Sequence, residues 1–365
     1  MKGIQIVRSN GPSANGAAVK APLAPAPKLS STRTPVVRIL YSDAAHQLHT
    51  ELTVDDLPEI LKREGGVLWV DLVETPPAQA RPVLEGIFGF HPLAVDDALE
   101  EIHIPKVDDW GDYLYLAFYA VRPSDVEADK ELVVLQELDC FLTSRCMVTY
   151  QAEAAHAVDR TWQTAQRDPR AFSRGAPQLL YQLLDTLVVD YTLVLEQLDD
   201  RVECAEDLVF EEPSEALIGE VFDYRRALLH LRRSLAPQRE VLNELSRGHF
   251  AAIGETYAMY FRDIYDHMVR LYDVTDTIRD VVNGTLEMYL SMVNNRMNDV
   301  MKTLTIITTL FMPLSFLAGF FGMNFFQPAL IRAGWTSTGV LWVVIGAMAV
   351  LPFVMYWWMR RRDLI

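Results

Sequence analysis

The stretch from Leu304 to Asn324, LTIITTLFMPLSFLAGFFGMN, constrains this chain more than any other. It carries no charge, and at a rise of about 1.5 Å per residue it is long enough to cross about 30 Å of hydrocarbon. A second uncharged run, Gly339 to Met359, follows a short polar loop and ends at Arg360-Arg361-Arg362. Two spans joined by a short loop predict a membrane hairpin at the end of a large water-facing chain. Met1 to Asn10 lacks a long apolar core, so targeting is expected from this late hairpin. Arg296 and Lys302 precede the first span and three arginines follow the second, whereas the connecting loop holds only Arg332. That asymmetry predicts a cell (inner) membrane protein with both termini in the cytoplasm.

Charge sharpens the division. The formal net charge is −16; from Thr303 onward four arginines stand against Asp363 alone, +3, which leaves −19 on residues 1–302. A body this acidic excludes nucleic acid as a natural partner and favours cations. The three cysteines (Cys140, Cys146, Cys204) have no metal-ligand spacing and read as free thiols in a reducing compartment. No phosphate-binding Gly-rich loop is present, and His230, His249 and His267 lie without metal or triad spacing, so no enzyme is expected.

Residues 1–35 form a tail rich in Pro, Ala, Ser and Gly, expected to be disordered. Over residues 36–175 strand and helix signals alternate. Val36–Tyr41, Val67–Asp71, Tyr113–Tyr119, Val133–Leu138 and Met147–Tyr150 read as strands, and Val54–Arg63 and Pro77–Ile87 as helices. An α/β or α+β domain with a mostly buried sheet is predicted. Residues 176–250 read as a helical hairpin, Pro177–Phe210 and Pro213–Arg247. A third helical pattern starts near Glu255, with Tyr257, Phe261, Ile264, Met268, Leu271, Thr275, Ile278, Val282, Leu286, Tyr289 and Val293 spaced 4-3-4-3-4-3-4-4-3-4. No proline falls between Glu255 and Met312, so a single helix of roughly 100 Å is expected to run through the stalk (251–302) into the first span (303–324). Such a helix needs neighbours along its length, copies of itself among them.

One face of the first span, followed upward in steps of three and four, reads Asn298, Met301, Leu304, Thr308, Met312, Ser315 and Gly319. Small and hydroxylated residues on one face suit helix–helix packing, and they also suit a water-filled pore; periodicity alone favours packing. In the pore reading, Met301, Leu304 and Met312 would close it by dewetting. Gly322-Met323-Asn324 ends the helix at the external side. An Asn amide and freed carbonyls suit Mg²⁺, which sheds its water reluctantly and can be held through its hydration shell.

Phe321-Gly322-Met323-Asn324, preceded by FMPLSFLAGF and followed by a second span (339–359) and a basic tail (360–365), closely resembles the CorA magnesium channel family. The resemblance continues through YFRDIYDHMVRLYD (Tyr260–Asp273) and HPLAVDDALEEIHIPKVDDWGDYLYL (His91–Leu116), covering nearly the whole chain from Val36. It implies a funnel-shaped homopentamer with a cytoplasmic αβα domain and a long stalk helix that becomes the pore-lining span. The second span would form an outer ring. Gly322, Met323 and Asn324 match the family's selectivity filter, at the mouth that continues into the external loop, residues 325–338. Asn298, Met301, Leu304, Met312 and Ser315 match its pore positions. Asp97 and Asp263 match an intersubunit cation-sensing pair, and Glu287 an acidic ring on the stalk. The implied function is a passive Mg²⁺ channel, also passing Co²⁺ or Ni²⁺, gated by intracellular divalent ions. The alternatives are a zinc transporter of the same fold, or a membrane-anchored cation sensor without transport. Two departures stand out: the loop FFQPALIRAGWTST lacks the family's usual acidic residue, and Phe321 stands where Tyr is more usual. Met323 favours magnesium over the zinc-transporting relatives, which tend to vary that position.

Overall fold

The computed structural model describes residues 36–100, 104–123, 132–172, 174–211, 214–322 and 338–361. The tail expected over residues 1–35 lies outside them. Seven strands form one sheet: β1 (Val36–Ser42), β2 (Leu48–His49), β3 (Val67–Val73), β4 (Lys106–Asp109), β5 (Leu114–Pro123), β6 (Val133–Leu142) and β7 (Cys146–Gln151). Their order is β2-β1-β3-β7-β6-β5-β4. Only β3 and β7 run parallel; the other pairs are antiparallel.

The central strand β3, VLWVDLV, is buried at every position, as a strand covered on both faces requires. Its side chains alternate between two cores. Leu68, Val70 and Leu72 join Ile39, Tyr41, Phe90, Val95 and Phe141 beneath α1 (Leu57–Lys62), α2 (Pro77–Arg81) and α3 (Pro92–Leu99). Val67 and Trp69 face the opposite core, with Leu40, Leu116, Phe118 and Trp162, beneath α4 (His156–Arg167) and α5 (Ala176–Glu211). The body is therefore a three-layer αβα sandwich.

A charge sits inside it. Asp71 of β3 is fully buried and accepts from Arg38 Nε (2.9 Å), Thr149 Oγ1 (2.7 Å) and Gln151 Nε2 (2.9 Å). Arg38 reaches on to Asp159 of α4 at 2.7 Å and stacks over Trp162. Every donor and acceptor in this cluster has a partner, which is the condition for burying a charge without a large penalty.

The long helices are α5, α6 (Glu215–Ser246) and α7 (Glu255–Gly322). Ser214 caps α6 by accepting from the Leu217 N–H at 3.2 Å. Tyr191 of α5 donates to the Tyr119 carbonyl (3.1 Å), while Gln238 of α6 donates to the Tyr191 hydroxyl (3.0 Å) and accepts from the Tyr119 N–H (3.1 Å). This triangle pins the hairpin to β5. α7 has 68 residues, or about 100 Å at the α-helical rise. Its stripe from Tyr257 to Val282 is buried against α5 and α6 of the same chain. Along this lower part the neighbours that so long a helix needs come from its own chain. α8 (Thr338–Arg361) packs against α7 near the other end.

Some local readings shift. The helix expected at Val54–Arg63 is a 3₁₀ turn (Val54–Asp56) followed by α1, and the one at Pro77–Ile87 is α2 followed by a π turn over Pro82–Ile87. Pro82 explains the second change, since it lacks the N–H that would continue the ladder. β2, β4, α3 and α4 carried no signal strong enough to be read.

Candidate ion path and cation-sensing residues

The upper part of α7 has a composition that its surroundings do not match. Met301 and Leu304 are each 60% exposed and Met312 is 72% exposed. Asn298, Thr308, Ser315 and Gly319, on the same face, are exposed as well. Not one residue in the most apolar window of this helix is buried. The hydroxyls turn their protons inward: Thr308 Oγ1 donates to the Leu304 and Thr305 carbonyls (3.0 Å each), and Thr305 Oγ1 to Met301 (2.7 Å). A threonine that bonds back to its own helix can stand in an apolar environment and still present oxygen lone pairs outward. Gly322 is the last described residue of α7. Met323, Asn324 and the expected loop that carries Arg332 lie outside the described residues.

Asp97 lies on α3, where Lys106 Nζ meets its carboxylate at 2.5 Å and that of Asp108 at 2.9 Å. Partial burial opposes the Lys106 charge, but the hydrogen bonds to the two aspartates outweigh it and hold its pKa above the ordinary lysine value. Asp263 is exposed on α7, and Glu287 is exposed nearly seven turns further along the same helix. The sheet separates Asp97, on its α1–α3 side, from Asp263, on its α5–α7 side. Among the described residues no three His, Cys, Asp or Glu side chains form a group able to hold a metal. A site that uses Asp97 and Asp263 together must be completed by another chain.

Asp185 of α5 was not singled out from sequence. Partial burial raises its pKa; His267 acts against that rise and Asp263 adds to it. Tyr181 of the same helix feels both Asp185 and Asp263. Asp263 of α7 and Asp185 of α5 are therefore within electrostatic reach of each other across the seam, and His267 acts on Asp185 as well. The available signal was a lone acid inside the apolar run LLYQLLDTLVV.

A water-facing αβα body whose longest helix continues into an apolar span, with a second span packed behind it, defines a membrane transport protein of the stalk-and-two-span type. The model of the family described as "CorA-like Mg2+ transporter protein" matches residues 64–361, and the chain belongs to that family. A cobalt/magnesium transport protein CorA of Thermotoga maritima is 36% identical over 277 residues, 74% of this chain and 76% of that protein. A putative metal ion transporter of Bacillus subtilis, YfjQ, is 33% identical over 297 residues, 80% of this chain and 88% of its own length. Among solved structures, the complete CorA magnesium transporter from Methanocaldococcus jannaschii superposes with a TM-score of 0.78 over 92% of this chain and 100% of that one, at 22% identity. Members of this family are divalent-cation transporters and not enzymes.

Proposed function

We propose that the chain is one subunit of a homopentameric, passive Mg²⁺ channel of the inner membrane that also passes Co²⁺ or Ni²⁺, with both termini cytoplasmic. The observation that carries this reading is the exposed upper half of α7. A helix of that apolarity is stable only in lipid or against other helices, and the small and polar residues of its Asn298–Gly319 face suit protein or water rather than lipid. Arranged around an axis, that face lines a pore. Met301, Leu304 and Met312 form its dry constriction, and Gly322, Met323 and Asn324 its outer filter. A divalent ion crossing 100 mV gains roughly 4.6 kcal/mol, on the order of a 10³-fold accumulation, so membrane potential alone drives uptake.

Gating follows from charge. With Mg²⁺ plentiful inside, an ion between Asp97 of one subunit and Asp263 of the next offsets their repulsion and holds the ring closed. When it leaves, the stalks separate. Lys106, already on Asp97, would stand in for the ion in part. Glu287 would add an acidic ring further up the stalk.

The test is Mg²⁺ flux into proteoliposomes under an inside-negative potential. Wild-type protein conducts, and Asn324→Ala loses most of that conduction. Absence of flux from well-folded wild type removes the channel, and unchanged flux in the variant removes Asn324 as the filter. Met323 predicts that Mg²⁺ passes faster than Zn²⁺ in the same vesicles.

A further inference from the structure

At the carboxyl ends of the two parallel strands, β3 and β7, lies a cavity of about 220 Å³. In an α/β sheet this is where ligands are ordinarily held, beyond the ends of the parallel strands. Its walls are largely apolar, from Pro76, Pro77, Ala98, Leu99 and Ala152. The side chain of Asp139, only 2% exposed, also lines it. Asp139 Oδ1 accepts from the Tyr115 hydroxyl at 2.6 Å. Among the described residues no donor reaches Oδ2, and no Lys, Arg or His forms an ion pair with this carboxyl. Glu74, Thr75, Glu137 and Tyr150 complete the lining. Glu74 holds a left-handed φ of 49°, with its N–H bonded to the Gln151 carbonyl at 2.9 Å.

A buried carboxyl without an ion-pair partner, inside largely apolar walls, selects its ligand by chemistry. A divalent metal needs a shell of oxygens, and these three carboxylates do not close into a metal-holding group. An anion is excluded by sign. A neutral apolar ligand would leave Oδ2 unsatisfied. A primary ammonium on a short alkyl chain meets each demand: the charge is met at Asp139, the methylenes lie along proline, alanine and leucine, and a second ammonium falls among the remaining acids. We propose that this cavity binds a short aliphatic diammonium ion, of the diamine or polyamine class, with its inner ammonium on Asp139 and its outer one near Glu74 and Glu137. The inference does not depend on the channel reading.

Proton balance gives it a signature. In the empty cavity burial drives the Asp139 carboxyl well above the usual carboxylate range; the Tyr115 hydrogen bond opposes this, Glu137 and Asp97 add to it, and Lys106 opposes it. A bound ammonium favours the ionised form, so the proton leaves Asp139 for the solvent as the ligand enters.

The experiment is calorimetric titration of full-length protein in detergent with 1,4-diaminobutane, near neutral pH, in two buffers of different ionisation enthalpy. The expected result is saturable binding of one ligand per subunit with proton release. Asp139→Asn should weaken binding by about tenfold or more and abolish the proton release, since a charge-assisted contact is lost. Ala152→Phe, which fills the cavity and leaves Asp139 in place, should weaken binding similarly. Both variants should keep wild-type protection by Mg²⁺ against proteolysis, which reports the sensing residues separately. Lack of saturable binding by wild type overturns the proposal. Equal affinity in both variants does so as well, because the diamine would then be sampling only the acidic surface.

Discussion

The two halves of α7 are one helix made for two solvents. From Glu255 to Thr285 every third or fourth residue is buried against α5 and α6, and the other faces carry Arg262, Asp263, Asp266 and Arg270. From Leu286 to Gly322 the apolar content rises while burial falls away: Leu286, Tyr289 and Met292 are half-covered, and Val300, Phe311 and Phe316 stand more than 60% exposed. The changeover falls where the stripe slips, at Val282 to Leu286, and Thr285 rather than Leu286 takes the last fully buried place. The lower half is finished by its own chain. The upper half is not, and the proposed homopentamer would supply the neighbours that the single chain does not contain.

Substitutions at matched positions should separate the halves. Phe261→Ala, at a fully buried position, should cost about 3–5 kcal/mol in the unfolding of the αβα body followed by urea. Phe311→Ala in the upper half should shift the same transition by less than about 0.5 kcal/mol; equal losses would mean the halves are not distinct. Asp263→Lys should remove most of the stabilisation by saturating Mg²⁺ against proteolysis, about 2.7 kcal/mol at a hundred times the dissociation constant, and leave urea stability without Mg²⁺ near wild type. Undiminished protection would take Asp263 out of the sensor. The smallest effect is the most discriminating. Thr275 and Thr308 make the same bond, each to the carbonyl four residues back, at 2.7 and 3.0 Å. Thr275→Val should change stability by no more than about 1 kcal/mol and leave flux unchanged, because that hydroxyl serves only its own helix. Thr308→Val should leave stability unchanged and lower Mg²⁺ flux.

Periodicity made most of this legible. The 3–4 stripe placed the start of α7 near Glu255, and the uncharged run showed that the helix continues into an apolar span, because both signals are local properties of a helix face. What covers the stripe was not legible: an apolar side chain specifies burial, not the partner, and that α5 and α6 are the partners is visible only in the fold. α4 was missed because HAVDRTWQTAQR is mostly polar outside a narrow face, and β4, Lys106–Asp109, because a short charged edge strand has no apolar alternation. Asp97 and Asp263 were reached through resemblance rather than spacing. The neighbours that shape them, Lys106 across from α3 and Asp185 across the α5–α7 seam, are tertiary facts that no window of sequence contains.

The central claim is that the Asn298–Gly319 face of α7 meets water in the assembled protein. Cysteine substitutions made one at a time from Met301 to Ser315, with the exposed Cys204 replaced by Ser, test it most directly, with block of Mg²⁺ flux by a water-soluble thiol reagent as the readout. The account predicts block at Met301, Leu304, Thr308, Met312 and Ser315, and no block at Ile306, Leu310 and Leu314 between them. Robust flux that is blocked at none of the five, or equally all round the helix, would contradict it.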